Sequence, residues 1–142
     1  MAMKSTIVNG LVATVFVATT VGCGGPLHYM ARGTARAPDS DGEITADVNR
    51  DQQNTRLNLR LQHLAPPDRI ASGANSYVVW TRGANQQWVR VGSLAYNPGD
   101  REGRLEGMAP FTAFELNITA ENTAAPAVPS QNVVLVQRVG SN

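Results

Sequence analysis

The chain holds a single cysteine, Cys23, among its 142 residues. That excludes an internal disulfide and any zinc site built from several thiolates. Histidine is almost as scarce, with only His28 and His63. A hydrolytic triad needs a base held between a nucleophile and an orienting acid, so His63 is the sole credible base. It stands at the end of a strand-like run just before Pro66 and Pro67, a place that suits a rim residue better than a catalytic one. Lysine occurs once, as Lys4, and the other basic residues are eleven arginines scattered among eleven acids, for a formal net charge of +1. A nucleic-acid-binding protein carries a basic stripe, and none is present. No 3.6-residue period runs through the chain beyond its first two dozen residues, which excludes a helical bundle.

What remains is a succession of short β-favouring runs. Tyr77-Val-Val-Trp80 is apolar at every position, so it predicts a strand buried on both faces in the middle of a sheet, with Trp80 packed by aliphatic side chains. Thr55 to His63 alternates Leu57, Leu59 and Leu61 with Arg56, Asn58 and Arg60, and Phe114 to Glu121 alternates as cleanly. A slip of one residue would bury the charges, so the pattern fixes the register. Further strands are predicted over Gly33–Ala37, Glu43–Val48, Trp88–Tyr96, Arg104–Met108 and Asn132–Val139, with a bulge near Gly92 to reconcile two parities. Turns recur at intervals of about 8 to 12 residues, which predicts an immunoglobulin-like antiparallel β-sandwich of about seven strands, a barrel being the alternative. A single domain of roughly 110 residues buries about two-thirds of its unfolded surface and needs no metal to hold it.

The first 22 residues have another character. Lys4 precedes an apolar stretch from Ile7 to Val21. That stretch is shorter than the about 20 residues a membrane span requires and suits the core of a secretory signal. The expected organisation is therefore a signal over 1–22, a tether over 23–32, the sandwich over 33–139 and a tail over 140–142.

Thr20-Val21-Gly22-Cys23 resembles the lipobox of bacterial lipoproteins, in which the cysteine is acylated and becomes the mature N-terminus. Thr20 stands where that family usually has Leu, which leaves ordinary cleavage and secretion as the alternative. The resemblance implies lipidation of Cys23, a membrane partner through that lipid, and, with Gly24 rather than Asp after the cysteine, an outer-membrane address facing the periplasm. Over most of 33–139 the chain also resembles a family of uncharacterised exported bacterial β-sandwich proteins. The residues concerned are Gly33-Thr-Ala35, Leu61 to Pro67, Tyr77 to Trp80, Gly92 to Leu94 and Phe114 to Glu121. It is more distantly similar to the extracytoplasmic domain of the anti-sigma-factor K type, whose regulatory role is not expected to carry over, because neither a transmembrane helix nor a cytoplasmic sigma-binding segment is read in the sequence. These are core and turn residues, so the resemblance implies a fold and no activity.

Two functional expectations result. The first is a non-catalytic envelope lipoprotein that meets a protein partner through a sheet edge or loops. The second is a small-ligand or glycan binder that uses Trp88, Tyr96 and Arg90 with the Arg82–Gln87 turn. Asp39, Asp41 and Glu43 read as a solvated acidic turn rather than a calcium loop. Asn117-Ile-Thr119 fits a glycosylation sequon but reads as the wet side of a strand. Neither a cofactor nor a metal nor a catalytic residue is expected.

Overall fold

The computed structural model describes residues 24–140, so the expected signal and Cys23 lie outside the described residues. Nine strands follow in order: β1 (Leu27–Arg32), β2 (Asp41–Asn49), β3 (Asn54–Gln62), β4 (Ser76–Arg82), β5 (Val89–Ser93), β6 (Ala95–Asn97), β7 (Glu102–Ala109), β8 (Phe114–Glu121) and β9 (Val133–Val139). The only helix among the described residues is one turn, α1 (Pro67–Ile70), opened by Pro67 where a missing N–H costs nothing.

The strands form two antiparallel sheets rather than a closed barrel, in the orders β1-β2-β3-β7-β6 and β5-β4-β8-β9. With β1 set aside, this is the immunoglobulin-like plan. Between the sheets lies the core expected from alternation. Leu57, Leu59 and Leu61 from β3 meet Tyr77 and Val79 from β4 and Leu116, Ile118 and Ala120 from β8, all fully buried. Each such leucine or isoleucine contributes about 1.5–3 kcal/mol by leaving water.

Three expectations need correction. Leu27–Arg32, expected as tether, is edge strand β1, paired with β2 from Leu27 opposite Ala46 to Arg32 opposite Asp41. Its alternation is weak because the inward positions are Leu27, Tyr29 and Ala31, of which only Ala31 is fully covered. Gly33–Ala37, expected as a strand, is a tight turn closed by hydrogen bonds from Ala37 N to the Thr34 carbonyl and from Gly33 N to that of Ser40. A Cβ on Gly33 would sit 1.8 Å from the Ala37 carbonyl oxygen, so no other residue fits there. From this turn Thr34 N donates to the Val134 carbonyl and its Oγ1 to that of Val133, which ties the first sheet to edge strand β9 of the second.

The third concerns Trp88–Tyr96, which is two strands in different sheets. Arg90 lies opposite Trp80 and Gly92 opposite Val79, so Val91 is the extra residue of a bulge beside Gly92. The chain crosses between sheets at Leu94, whose N–H donates to the Tyr77 carbonyl. The eight runs expected as strands lose Gly33–Ala37 and gain β1 and the split of this run, which makes nine strands among the described residues.

The pairing also sorts the loops into two ends. Gly24, the turn between β2 and β3, the loop after β7, the turn after β4 and the end of β9 all lie at one end. This follows from Leu27 opposite Ala46, Thr55 opposite Ala109, Arg82 opposite Glu115 and Phe114 opposite Val139. Thr55 Oγ1, donating to the Phe111 carbonyl at 2.7 Å, and Gly140 N, donating to the Tyr29 hydroxyl, hold that end together. The helix α1, the β6–β7 turn and the long loop after β8 lie at the other.

Candidate functional site

The outer face of the four-stranded sheet is where the chain departs most from a plain sandwich. Val78, Trp80 and Thr119 point away from the core yet are at most 1 % exposed. Trp80 is therefore buried as expected, but outside the inter-sheet core. The loop from Asn122 to Asn132 folds back over this face. Ser93 Oγ donates to the Ala124 carbonyl at 2.7 Å, and Ser130 N donates to Glu121 Oε1 at 2.7 Å. Beneath it runs a polar relay in which Trp80 Nε1 donates to Thr119 Oγ1 at 2.9 Å and that hydroxyl donates to Glu121 Oε1 at 2.7 Å. A buried carboxylate without a cation is tolerable when its lone pairs are filled by donors, and here a hydroxyl and a backbone N–H do so.

Toward the Gly24 end the loop no longer covers the sheet, and the face opens into a hollow of about 560 Å³. Arg82, Asn85, Gln86, Glu115 and Arg138 line it. Pairing puts Arg82 opposite Glu115 and Glu115 opposite Arg138, so three charged side chains stand abreast on neighbouring strands. Strands are about 4.8 Å apart, which keeps each within reach of the next. Arg82 Nη2 is 3.8 Å from Glu115 Oε2, and its guanidinium lies 4.4 Å above the Trp88 ring. Arg138 is exposed and has no ion-pair partner among the described residues.

Of the residues expected to bind, Trp88 and Arg90 lie on or beside β5, while Tyr96 lies in β6 of the other sheet. The structure does not gather the three into one surface. Trp88 is half-buried with one ring face beneath Arg82, and Arg90 is exposed. Tyr96 packs edge-to-face on Tyr77, ring centroids 5.5 Å apart, and its hydroxyl donates to the Leu64 carbonyl at 2.6 Å. The Tyr77 hydroxyl donates to the neighbouring Ala65 carbonyl. Burial pushes both phenols above their ordinary range, Tyr77 the further, so both stay protonated donors that strap the segment leading into α1.

His63 holds a left-handed backbone with φ of 55° where β3 ends, and its exposed Nδ1 is 3.2 Å from Asp41 Oδ2. Among the described residues no three His, Cys, Asp or Glu side chains gather closely enough to hold a metal ion. Asn117 lies mid-sheet, opposite Trp80 and Val136, with its Oδ1 buried and unpartnered. A stronger electrostatic cluster lies on the outer face of the other sheet. There Glu102 accepts hydrogen bonds from Arg60 Nε at 3.1 Å and from Arg104 Nε, and these bonds hold its carboxyl below the usual range.

Glu115 and Arg138 are the site residues that the sequence did not single out. Arg82 was visible as the start of a turn, but its neighbours come from strands more than thirty and fifty residues away. Only the β4–β8–β9 register brings them abreast. No family model, curated protein or solved structure matches the chain.

Proposed function

We propose that this is a non-catalytic module of the bacterial cell envelope, tethered by lipid on Cys23 and acting through contact with another envelope protein. One observation carries the reading. Gly24, Gly25 and Pro26 are exposed and lead directly into edge strand β1, so the described chain enters the fold at a solvent-facing edge immediately after the expected lipid-bearing position. Neither Gly24 nor Gly25 has any atom within 4 Å of where a Cβ would be. Four residues of chain span at most about 14 Å, so a bilayer holding Cys23 keeps the domain within that distance of its surface. Acyl chains contribute about 0.8 kcal/mol per buried methylene, and more than one makes the attachment stable.

In vivo cross-linking with affinity recovery tests this, run on a C-terminally tagged chain beside Cys23→Ser, with the intact mass of each mature form. Lipid mass on the wild type and a discrete partner lost in the variant support the proposal. A mature form without lipid and without a partner sinks it.

The second reading, a small-ligand or glycan binder, is favoured by the hollow beside Trp88. Glycan binding by the wild type that Trp88→Ala abolishes at unchanged melting temperature would select it over the first.

A further inference from the structure

We infer that the hollow flanked by Arg82 and Arg138 takes the phosphodiester of an anionic lipid headgroup, so that the tethered domain rests on the bilayer by a chosen face. The inference rests on the tethered reading above. Its first observation is topological. The chain enters the fold at the same end as the hollow, because β1 begins beside the end of β2 while Arg82, Glu115 and Arg138 lie where β4 ends, β8 begins and β9 ends. A tether reaching at most about 14 Å presents that end to the headgroups and turns the opposite end away.

The second observation is charge. Two guanidiniums flank one carboxylate across three paired strands, which leaves the row one positive charge in excess. Arg82 is held in place by the Trp88 ring and by Glu115, whereas Arg138 has no counter-ion among the described residues. A planar guanidinium offers paired donors that match phosphate oxygens, and a held one loses less freedom on binding. Asn85 and Gln86, both exposed on the turn that rims the hollow, add amide donors for the remaining oxygens.

The same end supplies an internal comparison. A second hollow, of about 450 Å³, is lined by Asp47, Arg50, Asp51 and Arg56, where two acids offset two bases. It offers an anion no net attraction, which singles out the Arg82–Arg138 side as the contact. A weak contact suffices, because the tether holds headgroups at high effective concentration beside the site.

The test uses the mature protein, recovered from membranes in mild detergent and moved into vesicles. Backbone hydrogen exchange is followed in three arms: phosphatidylcholine alone, phosphatidylcholine with phosphatidylglycerol, and phosphatidylcholine with free glycerophosphoglycerol, the same diester without acyl chains. Slower exchange at Gly83–Gln87 and at the end of β9 is expected with phosphatidylglycerol, weakening as salt rises. Arg138→Gln should reduce the protection about five-fold, and Arg36→Gln, in the turn at the opposite end, should leave it intact. Protection by the free diester without protection by phosphatidylglycerol would overturn the bilayer as the source. No protection in either arm, or protection indifferent to Arg138→Gln, would overturn the site. The intact mass of the recovered protein reports the anchor separately, so a missing lipid sinks the tether, whereas lipid without protection sinks only the headgroup site.

Discussion

Two threonines on adjacent strands should respond to the same substitution with opposite signs. Thr119 Oγ1 accepts from Trp80 Nε1 and donates to Glu121 Oε1, and the side chain is fully buried. Thr119→Val keeps the shape and removes both bonds. The indole N–H is left buried without an acceptor, at about 1–3 kcal/mol, and Glu121 loses a charge-assisted bond of about 1.5–3 kcal/mol. Partial relaxation of the covering loop brings the expected loss to about 2–4 kcal/mol. Thr81 is as buried, but its Oγ1 faces the core without a hydrogen-bond partner. Thr81→Val there removes a desolvated hydroxyl that nothing compensates, and a gain of about 1 kcal/mol is expected. At about 4 °C per kcal/mol for a domain of this size, the two variants should melt about 8–16 °C below and about 4 °C above the wild type. Urea unfolding followed by tryptophan fluorescence measures both, as shifts of midpoint at constant slope. A Thr119→Val loss under about 0.5 kcal/mol would refute the relay, and a destabilising Thr81→Val would show that this hydroxyl is satisfied in solution.

The two tryptophans should also separate. Trp80→Ala empties a fully buried position and should cost about 3–5 kcal/mol, whereas Trp88→Ala removes a half-buried ring and its cation–π contact with exposed Arg82 and should cost about 1 kcal/mol, both read from the same unfolding curves. Acid should reveal Glu102. Its carboxyl titrates below the unfolded value, so the stability it adds is complete above the ordinary carboxylate range and is lost as pH falls through the lowered one. Wild type and Glu102→Gln should therefore differ most near neutrality and converge in that acid window. A difference that persists at low pH would assign the effect to packing.

The sandwich was legible in the sequence wherever one face of a strand meets water. β3 is the clearest case, since the Leu57, Leu59 and Leu61 row admits one register; β8 alternates as cleanly in sequence, yet its outward Thr119 and Glu121 are buried beneath the covering loop rather than wet. β4 was legible only in part. Tyr77-Val-Val-Trp80 announced burial on both faces, but alternation cannot say what covers the second face, and the cover is a loop some forty residues onward. β1 escaped notice because an edge strand needs only half a hydrophobic pattern, and the apolar Met30 between Tyr29 and Ala31 masks the two-residue period of Leu27, Tyr29 and Ala31. The division at Leu94 escaped for another reason. A strand that changes sheets keeps its extended backbone, and the Val91 bulge changes side-chain parity without changing composition. The candidate site was the least legible part. Trp88, Arg90 and Tyr96 were linked by nearness in sequence, whereas Arg82, Glu115 and Arg138 are linked by hydrogen bonds between strands, which no local pattern encodes.

The covering loop also accounts for the contrast between the two ends of the four-stranded sheet. Had that sheet been left bare, Val78 and Trp80 would form an apolar stripe beside an edge strand, an invitation to unspecific association. The loop closes the stripe over the half away from Gly24, where Ser130 and Ser93 fasten it, and leaves charged side chains to occupy the other half. Val128, 71 % exposed within that loop, is a large apolar side chain displayed by the end away from Gly24. On the tethered reading proposed above, the end bearing Arg82 and Arg138 would face the bilayer, and a protein partner would meet the loop after β8. Loss of the envelope partner on Val128→Asp, at unchanged melting temperature and unchanged lipid mass, is what this division of the surface requires. Retention of the partner would move the contact to a sheet edge.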